Sequence, residues 1–252
     1  MPVAIIAGTA IYNIPSIEME EKIVQTTYGE ALVLLGQGKD RDLVFLPRHG
    51  PQHTTPPHNV NYRANIQALV DLNVKYVLAA YAVGSINRQI PPLGLVALDD
   101  FIDFTSGREA TFFEGGVGNV KHVDMSQPFC PVLRSALLEK ARKTGLELRP
   151  SGTYVCTNGP RLESPAEIQM FKKLGGDVVG MTAVPELVLA REKDLCLAAV
   201  GFSVNWAAGI EQKVQFVEHG LDELSTKLLD LFVQTLRYIV SQEVPLPKSP
   251  TE

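Results

Sequence analysis

Two hydrophobic periods alternate along the chain. Short runs of consecutive apolar residues, "VAIIAG" (3–8), "DLVFLP" (42–47), "YVLAAYAVG" (76–84), "GLVALDDFI" (94–102), "GTYVCT" (152–157) and "LCLAAVGFSVN" (195–205), predict strands, several of them buried on both faces. Segments with apolar residues three and four apart predict helices over 61–72, 131–145, 164–175, 184–194 and 221–240. In the last of these the stripe runs through Leu221, Leu224, Leu228, Phe232, Leu236 and Ile239. Ser164, Pro165 and Glu167 supply a cap, a first-turn proline and a capping-box acid at the offsets a helix start requires. No repeat or linker divides the chain, and only the last ten residues, 243–252, read as a frayed tail. The pattern predicts one α/β domain over 1–252 around a mixed central sheet, with functional loops at the strand ends.

Composition narrows the partners. With 45% hydrophobic and 20% charged residues among 252, there is ample core for a soluble domain. A formal charge of −5 without a dense Lys/Arg run argues against a nucleic-acid surface or a polybasic membrane patch. The start lacks the charged region of a signal peptide, and the most apolar window, 195–210, is shorter than a membrane span needs. Cys130, Cys156 and Cys196 are odd in number, widely spaced and form no CxxC, which points to reduced thiols in a cytoplasmic protein and not to a disulfide framework or zinc site.

Five strand-end segments carry candidate chemistry. In "IIAGTAIYN", Gly8 and Thr9 offer backbone N–H groups and a hydroxyl to an anion, without the later glycines of a dinucleotide fingerprint or the lysine of a P-loop. In "LPRHGPQHTTPPH", Arg48 supplies a planar fork suited to phosphate and His49 a second donor. His49, His53 and His58 are spaced by four and five, but the prolines among them oppose the helix that would gather them on a metal. In "CTNGPRLESPAEI", Glu163 precedes the helix cap; it either complements the helix dipole or accepts from a ligand's N–H groups. In "GMTAVPE", Met181 and Thr182 lie at a strand end before a helix, where Thr182 is either an N-cap or a group for phosphate or ribose. The apolar run from Leu195 stops at one carboxamide, Asn205, in "GFSVNWAAG", a way to present a single polar group to a ligand or to cap a strand. None of the cysteines has a His or basic neighbour that would activate it.

Taken in order, "AGT", "RHGPQH", "VNYRANIQAL", "AVGSI", "GPRLE", "GMTAVPE" and "SVN" resemble the trimeric nucleoside phosphorylases, over roughly residues 3–240. The resemblance implies a single α/β domain with a mixed, partly barrel-like sheet, a homotrimer, and phosphorolysis of purine nucleosides without metal or organic cofactor, phosphate being a co-substrate. It assigns Thr9, Arg48, His49, Thr182 and backbone near Ala82 to phosphate, and Met181 and Leu162 to the ribose and base. Asn205 and Glu163 fall at the base-reading, catalytic positions, the pairing of the 6-oxopurine branch; the 6-aminopurine branch has Asp where this chain has Asn205 and again where it has Ala207. The 5′ group would meet His122 from a neighbouring subunit, with Val217 matching a methylthio-pocket residue and His219 matching a hydroxyl-binding histidine. Tyr81 departs from the small or polar residue usual before "AVG". The expected activity is a 6-oxopurine phosphorylase, 5′-methylthioinosine favoured and inosine or guanosine close behind. The alternatives are a methylthioadenosine phosphorylase and, outside enzymes, a nucleoside-binding sensor.

Overall fold

The computed structural model describes residues 1–11, 14–50, 54–117 and 119–245. Its centre is a ten-stranded sheet. Strand β1 (Val3–Ala7) lies parallel between β4 (Leu43–Pro47) and β5 (Tyr76–Ser85), and β5 also pairs in parallel with β10 (Cys196–Trp206). Every residue of β1 and β4 is buried, because both faces of the sheet are covered. Helices α1 (Tyr62–Asp71) and α4 (Ala183–Glu192) pack on Ala4, Ile6, Val44 and Leu46; α2 (Pro131–Thr144) and α5 (Leu221–Ser241) pack on Ile5, Phe45, Leu78 and Val200. The stripe expected on α5 holds: Leu228, Phe232, Leu236 and Ile239 are buried.

A second ring of pairing gives the sheet its partial closure. Strand β5 also joins β9 (Val178–Gly180), which joins β8 (Thr153–Cys156) and then β7 (Asp100–Asp103). The other neighbour of β5, β10, joins β6 (Leu95–Ala97), which leads within three residues into β7. The predicted strand over 94–102 is therefore two strands, because Leu98 and Asp99 carry the chain from one side of this circuit to the other. The hairpin β2 (Met19–Thr26) and β3 (Gly29–Gly36), and the short β9, escaped the sequence reading. The solvent-facing β2 is mostly charged or polar and lacks an apolar run, and β9 is only three residues long. Helix α3 (Pro165–Lys173) starts with the expected capping box, Ser164 and Glu167 bonding reciprocally.

The cysteine expectation is overturned. Cys130 and Cys196 form a buried disulfide with a Cα–Cα distance of 5.1 Å, leaving Cys156 as the one thiol. Cys130 at the N-cap of α2 is brought to β10 by its backbone N–H, which donates to Leu197 O at 2.7 Å. A separation of 66 residues gives no sign of that approach. At the C-terminus, Val244 remains docked, its carbonyl accepting from Tyr76 Oη at 2.5 Å, so the frayed tail does not begin at 243; residues 246–252 lie outside the described chain. Among the described residues, no helix is long and apolar enough to cross a membrane.

Candidate active site

The carboxyl ends of β1, β4, β5 and β10 meet the loops before α3 and α4 around a cavity of about 400 Å³. Strand ends of a largely parallel sheet are where α/β folds place ligands. Thr9, Arg48, His49, Ala82, Met181 and Thr182 line one part of it; Leu162, Glu163, Asn205 and Ala207 line another. Six separate segments of sequence thus converge.

Backbone approach sets the first part. A methyl group added at Gly8 would come within 2.6 Å of His49 Cδ2 and 3.0 Å of Arg48 Nη1, so glycine alone lets β1 end against these two side chains. Arg48 N donates to Ala7 O at 2.7 Å, and Thr55 N folds back to His49 O. His49 Nδ1 lies 2.8 Å from Thr55 O. A carbonyl only accepts, so this nitrogen carries the proton. Thr182 is the N-cap residue of α4, but its hydroxyl makes no cap bond and faces the cavity. The position is that of a cap, without the cap bond. Thr9 is exposed at the cavity mouth.

Arg48 is fully enclosed. Its Nε donates to Glu186 Oε2 at 2.5 Å and its Nη2 to Glu186 Oε1 at 2.8 Å. Burial alone would lower the Arg48 pKa, but the adjoining Glu186 carboxylate raises it above its ordinary value, so the guanidinium stays charged. Tyr81 Oη donates to Glu186 Oε1 at 2.8 Å, and its ring lies beneath the guanidinium at 4.7 Å. Burial first, and then the Glu186 charge, push the Tyr81 phenol well above its usual range, which keeps it a donor.

The base-sized part is set by a bulge. Pairing of β10 with β5 slips by one residue: Ser203 faces Val83, Asn205 faces Gly84, and Val204 is the extra residue. A bulge re-aims the side chains that follow it. Asn205 Nδ2 spends one hydrogen on Trp206 O at 2.8 Å, leaving a donor and an acceptor on a 5% exposed amide. Glu163, 9% exposed, accepts from Thr157 Oγ1 at 2.7 Å through Oε1, which leaves Oε2 for another donor. At Gly159, φ is +61° and an added methyl would fall 2.3 Å from Met181 Sδ, so this turn brings the Glu163 loop onto Met181.

Of the residues expected around a 5′ group, Val217 and His219 do not line this chain's cavity: Val217 faces an adjoining hollow with Trp206, and His219 is exposed. His122, expected from a neighbouring subunit, is exposed and outside the lining of its own chain's cavity. Val214 and Phe216 line the cavity instead. The stretch after Asn205 is anchored by Val217 N on Val204 O at 2.8 Å, and it sets Val214 and a largely exposed Phe216 at the cavity's border, Phe216 also facing the hollow of Val217, a path that residue offsets cannot supply. Sequence reasoning also missed Glu186 and Thr157, and it noted Tyr81 as a departure without giving it a role; the signal for Glu186 is a lone carboxylate in the apolar helical run "AVPELVLA". His58 is exposed on a turn and lines a different hollow from His49, while His53 lies outside the described residues.

The phosphorylase superfamily model matches residues 2–237. The chain belongs to this superfamily. It is 47% identical over 216 residues to the 6-oxopurine nucleoside phosphorylase of Pyrococcus furiosus, covering 84% of this chain and 82% of that protein. A probable S-methyl-5′-thioinosine phosphorylase of Methanopyrus kandleri is 41% identical over 241 residues, 94% of this chain and 92% of its own. Among solved structures, methylthioadenosine phosphorylase from Schistosoma mansoni in complex with tubercidin superposes with a TM-score of 0.88 at 30% identity, covering 96% of this chain and 92% of that one.

Proposed function

We propose that the protein cleaves the N-glycosidic bond of 6-oxopurine nucleosides with inorganic phosphate, releasing the free purine and a ribose 1-phosphate. The observation that carries this reading is one cavity in which the Asn205 amide and the Glu163 carboxylate stand together, with Ala207 beside them, across from Arg48, His49 and Thr182. A 6-oxopurine offers an N1–H to an acceptor and O6 and N7 to donors. Glu163 Oε2 matches the first and the free Asn205 Nδ2 hydrogen the second. An adenine base would instead set its unprotonated N1 against the Glu163 carboxylate, acceptor against acceptor.

In the reaction, a phosphate oxygen bonds to C1′ as the bond from C1′ to the purine breaks. The electron pair leaves with the base, and a proton is taken up there. Arg48, the Nδ1-protonated His49, Thr9, Thr182 and backbone near Ala82 hold phosphate below the sugar, so its negative charge stabilises the positive charge that develops on the ribose. The hydrogen bond from Asn205 stabilises the negative charge on the departing purine. Met181 and Leu162 pack against the ribose and base. Fixing both substrates in line removes much of the entropic cost of a two-substrate step. No metal or organic cofactor enters this scheme.

The relatives' names divide between an ordinary and a methylthio 5′ group. The apolar pair Val214 and Phe216 in the lining supports 5′-methylthioinosine as the favoured substrate, with inosine and guanosine next. A homotrimer in which His122 completes a neighbour's site belongs to the same proposal. So does a cytoplasmic location. The deciding experiment is a panel of adenosine, inosine, guanosine, methylthioadenosine and methylthioinosine, each with and without phosphate. Phosphate-dependent release of hypoxanthine or guanine is expected. Preferred release of adenine would refute the base assignment, and binding without cleavage would refute the enzyme reading.

A further inference from the structure

We propose that Glu186 is a positioning residue for the anion end of the cavity, locking Arg48 so that one edge of its guanidinium is spent inside the protein and the rest is offered to phosphate, with Tyr81 locking Glu186 in turn. This rests on the reading of that end as a phosphate site.

The geometry assigns each hydrogen. The Nε and Nη2 atoms of Arg48 form a two-point fork with Glu186, both side chains being 1% exposed. Among the described residues, only a long contact of 3.4 Å to Ala80 O occupies Nη1, the atom that lies against Gly8 at the cavity wall. An arginine held along one edge cannot swing or bind a ligand through that edge. The Tyr81 hydroxyl takes a further lone pair of Oε1, and its ring fills the space beneath the guanidinium plane. Position matters as well as contact. Tyr81 immediately precedes Ala82, which lines the cavity, and Glu186 follows Thr182 by four residues, across extended backbone at Val184 that breaks the start of α4. One short segment thus brings the Thr182 side chain to the cavity lining and grips the cavity's arginine with Glu186.

The charge balance separates this idea from simple electrostatics. Paired with Glu186, Arg48 brings no net charge to the site, so phosphate is held by directed N–H groups and not by an excess cation. Replacing Glu186 with Gln makes the site one unit more positive while breaking the fork. Attraction by charge alone would then tighten phosphate binding. Positioning requires it to weaken.

The test measures KM for phosphate and KM for nucleoside in wild type, Glu186→Gln and Tyr81→Phe, with thermal melting as the check on folding. Glu186→Gln is expected to raise the phosphate KM by ~10-fold or more, the size of a charge-assisted hydrogen bond, and to leave the nucleoside KM near wild type. Tyr81→Phe keeps the ring and removes the hydroxyl that donates to the Glu186 carboxylate; it should raise the phosphate KM by ~3-fold, less than Glu186→Gln because it reaches Arg48 only through Glu186. If Glu186→Gln fails to fold, Tyr81→Phe decides alone. An unchanged or lower phosphate KM in a folded variant overturns the proposal, as does an equal rise in both KM values. If the wild-type enzyme shows no phosphate-dependent cleavage, that failure belongs to the function proposed above; calorimetric titration of inorganic phosphate into the same three proteins then reads the positioning directly. Weaker binding in the variants supports it, and equal binding, or none in the wild type, overturns it.

Discussion

The Thr157 hydroxyl donates to Glu163 Oε1 across 2.7 Å. This bond fixes which oxygen of Glu163 remains for a ligand, and Asn205 is oriented likewise by the Trp206 carbonyl. Two buried groups with assigned donors and acceptors make the base preference testable. In Asn205→Asp, an acceptor replaces the donor near O6 and N7, so the ratio of inosine to adenosine kcat/KM is expected to fall by roughly ten- to a hundredfold, ~1 to 3 kcal/mol. Glu163→Gln should lower 6-oxopurine turnover as well, by removing a charge-assisted bond. A full switch to adenine is not expected, because Ala207 supplies no second carboxylate. Variants that fold normally and keep the wild-type ratio would make Asn205 a strand-end residue and nothing more.

Arg48→Ala should abolish efficient phosphate use while leaving nucleoside binding measurable. The same change strands Glu186 in the core without its partner, at a cost of ~3 to 5 kcal/mol in stability. Arg48→Lys separates the two effects, since lysine keeps the charge and loses the planar fork. Its phosphate KM is expected to rise well above wild type at little change in nucleoside KM, and a wild-type value would show that a point charge suffices.

Phe216 and Val214 put apolar surface where the 5′ end of a nucleoside is proposed to lie. Phe216→Ser should reduce the preference for methylthioinosine over inosine by about tenfold, the worth of a methyl-sized apolar contact. His219→Ala should leave that preference unchanged. Comparing kcat/KM for the two nucleosides in both variants reads the pocket, and the opposite pattern would return His219 to the site.

His122 is exposed and outside its own chain's cavity. If it serves a neighbour, activity per chain should fall on dilution in step with dissociation, as followed by light scattering. A monomer of full activity would end the shared-site proposal.

Two cysteine environments predict different chemistry. Opening the Cys130–Cys196 bond by reduction, or by Cys130→Ser, should lower stability by about 4 kcal/mol, from the unfolded-state entropy of a 66-residue separation. Burial pushes the Cys156 thiol up to about 12, so it should resist alkylation at neutral pH until the protein unfolds. Mass spectrometry of iodoacetamide-treated native protein checks this, with rapid labelling of Cys156 as the contrary result.

The sequence by itself determined the elements that carry their own period and caps. The runs of β1, β4, β5, β8 and β10 are apolar because both faces are covered, and the stripe of α5 and the capping box of α3 are local patterns, so all were legible without coordinates. The convergence of Thr9, Arg48, Glu163, Thr182 and Asn205 was legible only through the ordered motif set, since no spacing relates strand ends so far apart in the chain. Tertiary structure alone decided what depends on register and on long-range pairing. The one-residue bulge opposite Gly84 aims Asn205; the path after it puts Phe216 at the cavity border and leaves Val217 and His219 outside the lining; and the packing of α2 against β10 brings Cys130 to Cys196. Above all, Arg48 and Glu186 are 138 residues apart, and only the packing of α4 on the sheet brings them together. Local sequence fixes φ, ψ and polarity over a few residues, whereas a buried charge finds its partner only when the packed sheet sets the distance between them.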